Sequence, residues 1–386
     1  MKRTDPFTSA VFLAILLGLS ILFWILPDRA FSEQENRCLQ SAPAFSADAL
    51  RSGRLLTEVN AYFADQFPLR DLWVGFKGAL EIASGRGENN GILLGRSGQL
   101  ARRRFSMKTS DVPTDVYDPA QIRQACEGIG RAEENLDVPF YVMLTGRNVD
   151  VVGSALDYPS ALSDALLQEI SQSLSPKVQR IDTIPILKDR AEAGEEVYFR
   201  TDHHWTTRGA YYAYTDAMAA MGRAAETLPM DAFEKRTVSE SFYGTLWSAG
   251  GMKWVAPDRV EHWIRGNEED FLVVCDGREA SGFYEERWLE KKDHYSTFLD
   301  GTHDVVTITR RDGEPRPTLL LVKDSFANAL APFLAQHFDL VLLNLSSTKQ
   351  DFTNVSSLAK EYKADRVMLV YTIENLLTAD KLCRLR

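Results

Sequence analysis

The sequence predicts an α/β fold: a largely parallel sheet covered by helices on both faces, behind an N-terminal transmembrane helix. Three observations predict it. Short β-rich apolar runs recur along the C-terminal two thirds of the chain, helical periodicities fall between many of them, and one long uncharged apolar stretch stands at the start. Strands alternating with helices need crossover connections, which build parallel sheets buried on both faces.

Lys2 and Arg3 precede an uncharged run from Pro6 to Pro27, whose core Ala10 to Leu26 is rich in Leu, Ile and Phe. That core is about long enough to cross a bilayer, and the positive flank places the N-terminus inside and the remainder outside. A cleaved signal peptide is the rival reading. The long apolar region and the lack of a clean A-x-A site favour an uncleaved anchor over residues 1–27, with the catalytic mass extracytoplasmic.

Residues 28–110 read as a linker and an accessory helical segment. Asp28 to Ala44 is polar and proline-marked, and Leu50 to Phe67 and Leu72 to Ile82 form two amphipathic helices broken at Pro68. The principal domain is expected over 111–386. Strand signals fall at Ile92 to Leu94, Pro139 to Leu144, Lys177 to Asp182, Val197 to Phe199, Val305 to Thr309, Thr318 to Val322, Leu340 to Asn344 and Arg366 to Tyr371. Helical patterns occupy Pro119 to Leu136, Ala161 to Leu174 and Ser325 to His337, and Asp312-Gly313 suggests a hairpin leading into the Thr318 strand. An insertion at about 225–302 is rich in aromatics, among them Phe242, Tyr243, Trp247, Trp254, Trp263, Tyr284 and Tyr295. Such rings can stack on sugars, but large aromatics are more often core.

Composition bounds the function. A chain of 386 residues with 45% hydrophobic content can hold one large α/β domain and an accessory segment. Its net charge of −10 opposes binding to polyanions, so nucleic acid is excluded as an expected partner. Cys38, Cys126, Cys275 and Cys383 are widely spaced; they allow three full pairings, and no spacing suggests zinc or a redox pair.

Two segments carry chemistry. Tyr198 to Arg208 reads YFRTDHHWTTR. Thr206 can cap a helix starting at Thr207, whose apolar face is Tyr211, Tyr214, Met218 and Met221, so Asp202 and His204 sit just before that cap. In an extended turn, residues two apart project to one side; Asp202 therefore reaches His204, while His203 points away and supports the strand or packs beneath the turn. A carboxylate on one imidazole nitrogen fixes the tautomer and frees the other as a base. Plain polar residues before a helix are the bland reading. A metal is the other rival, but His262, His294, His303 and His337 are scattered with no second ligand cluster, so no metal is expected. The second segment, Leu319 to Asn328, reads LLLVKDSFAN and places Ser325 at a strand-to-helix turn, where free helical N–H groups can hold an oxyanion or where Asp324 or Ser325 merely caps. Arg147 and Asn148, just after the Pro139 strand, are candidates for an oxyanion donor or a substrate contact, with a turn role equally open.

TDHHW and KDSF, together with YFADQFPLRD (Tyr62 to Asp71), NNGILLGRSGQL (Asn89 to Leu100) and SFYGTLWS (Ser241 to Ser248), resemble the DHHW protein family from about Glu35 to Leu377. That family is similar to the SGNH-hydrolase-like proteins of bacterial alginate O-acetylation. The resemblance implies an SGNH-hydrolase-like fold with the Asp-x-His pair before the Ser, and assigns Asp202 as acid, His204 as base and Ser325 as nucleophile. Tyr243 and Gly244 lie in a shared motif, where a glycine lets backbone approach a reacting acyl group. The SGNH pattern has Gly-Asp-Ser where this chain has Lys323, Asp324 and Ser325, which leaves the tightness of that turn open. The expected function is a membrane-anchored O-acetyltransferase acting on a cell-surface polysaccharide, without cofactor, and supplied by an integral membrane O-acyltransferase. An acetylesterase of the same fold and a noncatalytic glycan-binding or assembly protein are the alternatives.

Overall fold

The run Thr318–Lys323 is apolar on both faces, so it needs cover on both sides. In the computed structural model, which describes residues 6–32, 37–103, 105–106, 114–115, 117–156, 160–378 and 381–386, it lies inside an eight-stranded sheet. The sheet order is Arg278–Glu279, Phe271–Cys275, Val305–Arg310, Asp339–Asn344, Thr318–Lys323, Arg366–Thr372, Phe140–Thr145 and Gln179–Ile181. From Asp339–Asn344 onward neighbours run parallel, and the three strands at the other edge are antiparallel. Alternate residues feed two cores. Met143, Leu321, Leu342 and Met368 pack with the helices Thr207–Ala220 and Phe326–Leu334, whereas Val142, Leu320, Leu343 and Leu369 pack with Pro119–Glu134 and Val355–Glu361. The expected α/β class with helices on both faces is the observed one.

Three expectations are corrected here. Val197 to Phe199 does not form a strand of the sheet; residues 197–206 fold back on themselves through Thr206 N–H to Val197 O and Phe199 N–H to His204 O, with a single bridge between Tyr198 and Trp205. Asp312-Gly313 does turn the chain, yet Val305–Arg310 and Thr318–Lys323 are not partners, because Asp339–Asn344 lies between them. The aromatic stretch is not wholly an insertion, since Phe271–Cys275 joins the main sheet. Most of its aromatics are core: Phe242, Trp263, Tyr284, Tyr295 and Phe298 are buried.

The chain divides into two compact units, residues 91–247 with 255–386, which hold the sheet, and residues 1–90 with 248–254. The smaller unit begins with α1 (Pro6–Ile25), which has a mean hydropathy of 2.3 and no buried residue and is long and apolar enough to cross a membrane. Lys2 and Arg3 lie outside the described residues. Next come α2 (Ala47–Arg51), α3 (Arg54–Asp65) and α4 (Arg70–Ala83). The helix expected from Leu50 to Phe67 is interrupted, because Gly53 takes a left-handed φ of 76° between α2 and α3. Cys126 and Cys275 are buried thiols that burial pushes up to about 12, which leaves them unreactive.

Candidate active site

The turn before Thr207–Ala220 is held from several sides. Asp258 accepts from the backbone N–H of Arg200 at 2.9 Å and of Thr201 at 2.8 Å, fixing the approach to Asp202. Thr206 caps the helix by accepting from Gly209 N–H at 3.2 Å, as its sequence position suggests. Trp205 donates its indole N–H to Phe326 O at 3.1 Å, tying this turn to the Ser325 turn. Residues far apart in sequence therefore meet with little freedom.

His204 donates Nδ1–H to Asp202 Oδ2 at 2.6 Å, and its Nε2 accepts from Ser325 Oγ at 2.7 Å across 121 residues of sequence. Both oxygens of Asp202 are engaged: Oδ1 accepts from the Thr245 N–H at 2.8 Å and the Thr245 hydroxyl at 2.7 Å. Burial opposes charge on Asp202, but the two neighbouring imidazoles hold its carboxyl well below the usual range. Burial, with help from His203, pushes His204 down to about 4, so its imidazole is neutral at pH 7. The ring of Tyr295 stacks on His204 at 3.7 Å and 7°, and the Tyr295 hydroxyl donates to Ser325 O at 3.1 Å, bracing His204 and Ser325 together.

Ser325 is half-buried at the mouth of Phe326–Leu334. The adjoining Asp324 is buried and accepts from Phe326 N–H at 3.0 Å, Thr372 N–H at 2.7 Å and Asn375 Nδ2 at 2.9 Å, which pins the turn to the neighbouring strand end. Lys323, where the SGNH pattern has glycine, is 2% exposed and donates to Asn328 Oδ1 at 2.7 Å. Its side chain turns into the core, and the turn keeps Ser325 on His204.

A cleft of about 370 Å³ opens here, lined by residues that include Arg102, Arg147, Asn148, His203, Thr245 and Phe326. Of the residues singled out in the sequence, Asp202, His204 and Ser325 come together. Arg147 and Asn148 line the cleft, whose wall beside those three is formed by their neighbours His203, Thr245 and Phe326. Arg147 is buried and paired with Asp150, with Nε to Oδ2 at 2.9 Å and a second bond to Oδ1 at 2.8 Å, while Asn148 Nδ2 donates to Asp202 O at 3.1 Å. Tyr243 packs on Trp247 with ring centroids 4.6 Å apart. Gly244 lies against the carboxylate-bearing residue: a Cβ there would stand 2.2 Å from Asp202 Cβ. Its missing side chain makes room for Asp202.

His203 departs from expectation. It does not pack beneath the turn but lines the cleft, its Nδ1 bonded to Thr245 Oγ1 at 2.8 Å and its ring 3.8 Å from that of His204. The turn is not extended at this point, so the alternation argument fails. Burial works against charge on His203, yet the Asp202 carboxylate 3.6 Å away outweighs it and raises its pKa. Asp202, His203 and His204 each offer an atom within 4.8 Å of the others. His204, however, has both nitrogens engaged by Asp202 and Ser325. Thr245 and Tyr295 carry support that sequence reading passed over. Thr245 follows the singled-out Tyr243-Gly244, which was the available signal; Tyr295 was visible only as one aromatic among many.

Residues 183–344 match the DHHW protein family. The match spans Asp202, His204, Ser325 and the Ser241 to Ser248 motif, so the resemblance holds there, while the Tyr62 to Asp71 and Asn89 to Leu100 motifs lie outside it. Among solved structures, a DHHW family protein from Eubacterium siraeum shares 19% identity over 75% of this chain and 95% of that one, with a TM-score of 0.55. PatB1 from Bacillus cereus, solved with a sulfonyl adduct, shares 18% identity over 76% of this chain and 98% of that one, with a TM-score of 0.61. Both likenesses are likenesses of fold, and the fold is the SGNH-hydrolase-like one. No curated protein matches this chain in sequence.

Proposed function

We propose that this chain is a membrane-anchored, extracytoplasmic acyl-ester enzyme, an O-acetyltransferase that acts on a cell-surface polysaccharide. The observation that carries the reading is the continuous relay from Asp202 Oδ2 through His204 to Ser325 Oγ, with links of 2.6 and 2.7 Å, at the edge of a cleft. A serine oxygen is a weak nucleophile until a base takes its proton, and a base of depressed pKa is free to take it at neutral pH.

Ser325 Oγ attacks the acyl carbonyl as its proton passes to His204 Nε2. Asp202 stabilises the imidazolium through Nδ1–H. By this reading the Ser325 backbone N–H, which has no protein acceptor among the described residues, donates to the tetrahedral oxyanion. His204 then returns the proton to the leaving oxygen, giving an acetyl-serine. A sugar hydroxyl, deprotonated by the same His204, resolves it and regenerates Ser325; water in that role gives the esterase. No step needs a metal or cofactor. By this reading α1 holds the enzyme at the membrane, and an integral membrane O-acyltransferase supplies the acetyl group.

The test is covalent labelling of the detergent-solubilised full chain with an aryl sulfonyl fluoride, a reagent class prompted by the sulfonyl adduct of PatB1. The Ser325 peptide should gain the adduct, Ser325→Ala should not, and the unlabelled enzyme should release acetate from an aryl acetate. Adding an oligosaccharide should divert acetyl from water to sugar if the enzyme is a transferase. A folded protein that neither labels nor releases acetate would place a noncatalytic glycan-binding role ahead, and activity that appears only with added zinc would replace the relay with a metal site.

A further inference from the structure

In a water-soluble unit, an amphipathic helix turns its apolar stripe inward. α4 does the reverse. Leu72, Trp73, Phe76 and Leu80, which helical spacing places on one face, are between 41% and 62% exposed. Its inward contacts are made instead by glycines: a Cβ on Gly75 would stand 2.9 Å from Lys253 Cγ, and one on Gly78 would stand 3.1 Å from Gly251 O. α3 continues the pattern with Leu56 and Phe63 exposed.

This apolar surface is continuous with the helix built to cross a membrane. Phe23, in the last turn of α1, stacks on Phe63 of α3 with centroids 5.0 Å apart, and Tyr62 meets the same ring edge-on at 5.9 Å. Just past α1, Asp28 accepts from the Tyr62 hydroxyl at 3.0 Å, and Arg29 bonds Asp71 at 2.9 Å and, through its N–H, Gln66 Oε1 at 2.9 Å. These bonds hold α3 and the start of α4 at the level where α1 ends. If α1 spans a bilayer, that level is the boundary between acyl chains and headgroups, where aromatic and aliphatic side chains are stabilised by burial.

We propose that α3 and α4 form an interfacial collar around the end of α1, with Leu72, Trp73, Phe76 and Leu80 buried among phospholipid acyl chains. The proposal rests on the reading of α1 as a membrane anchor and goes beyond it: the smaller unit meets the bilayer through α3 and α4 as well as through α1. The occupant is lipid, because the face is contiguous, through the contacts of Phe23 with Tyr62 and Phe63, with a helix apolar and long enough to cross a membrane.

The experiment places p-benzoylphenylalanine in the full chain at Phe76, at Leu80, at Leu17 within α1 and at the exposed Arg86, with the pure protein reconstituted in phosphatidylcholine vesicles and adducts read by mass spectrometry. Phospholipid adducts at Phe76 and Leu80 should approach the yield at Leu17 and exceed that at Arg86 by about tenfold, as expected for side chains held in the acyl boundary. Lipid adducts at Leu17 without them at Phe76 and Leu80 would overturn the collar and leave the anchor standing. Failure at Leu17 as well would overturn the anchor, and the collar with it. Adducts to a second copy of the chain at Phe76 or Leu80 would show that protein covers this face and would also overturn the proposal.

Discussion

His203 and His204 are adjacent, yet the structure gives them opposite proton affinities and separate partners. On the proposed mechanism, His204→Ala removes the imidazole between Asp202 and Ser325 and should cut kcat by about 10³-fold or more while the protein stays folded. His203→Ala leaves that relay intact and loses a cleft wall and a bond to Thr245, so it should mainly raise KM, with kcat within about tenfold of wild type. Steady-state kinetics beside circular dichroism separate the two, and a dead His203→Ala with an active His204→Ala would reverse the assignment. The pH profile is a second check. The base must be neutral, and burial holds His204 down to about 4. kcat/KM should therefore be level from pH 7 down to about 5 and fall as pH drops through about 4; an acid limb near the ordinary imidazole value would contradict the buried relay. At this scale much was legible. The clustering of Asp202 and His204 before a helix cap and the strand-to-helix turn at Ser325 are local signals, although the alternation that paired Asp202 with His204 is not the geometry that joins them. The placement of His203 was not legible, since it depends on how residues 197–206 fold back on themselves. Gly244 was noticed for its approach to a substrate, but its closest neighbour is Asp202, a contact between residues far apart in the chain.

Among the elements, the Ser325 strand ends in a residue that costs stability. Lys323 is buried, and burial pushes its ammonium down to about 8. Its folded pKa lies below its unfolded value, so the unfolded chain binds more protons between pH 8 and about 10.4, and this residue makes stability rise with pH across that window. Lys323→Met should remove the pH dependence: its stability relative to wild type should decline by up to ~3 kcal/mol as pH rises from 8 to about 10.4. Urea melts of both proteins at several pH values check this, and parallel curves would mean that burial does not depress the Lys323 pKa. Most strands of the sheet were readable from β-rich apolar runs, because a strand covered on both faces must be apolar throughout. Their order was not. A turn at Asp312-Gly313 looks the same in sequence whether its flanking runs pair or not, and here Asp339–Asn344 comes between them. Phe271–Cys275 is an unbroken apolar run, FLVVC, inside an aromatic-rich stretch, and such a short run reads equally as strand or as part of another buried segment.

For the molecule as a whole, topology is the governing question. α1 is uncharged along its length, and the basic residues Lys2 and Arg3 precede it, so a reporter fused after Arg386 should be active only in its extracytoplasmic form; cytoplasmic activity would remove the basis for a surface substrate. The sheet order bears on something else, the timing of assembly. Thr318–Lys323 has Asp339–Asn344 on one side and Arg366–Thr372 on the other, and both partners come later in the chain. A polypeptide emerges from the ribosome N-terminus first. The strand leading to Ser325 therefore waits with both edges unpaired until Asp339–Asn344 is made and with one edge unpaired until synthesis has passed Thr372, and a nascent chain that stops earlier holds Asp202 and His204 without the finished Ser325 turn. On the proposed reading, acyl-transfer chemistry is withheld until Thr372 has been added, and the waiting LLLV segment is an unpaired apolar strand of the kind that chaperones shield.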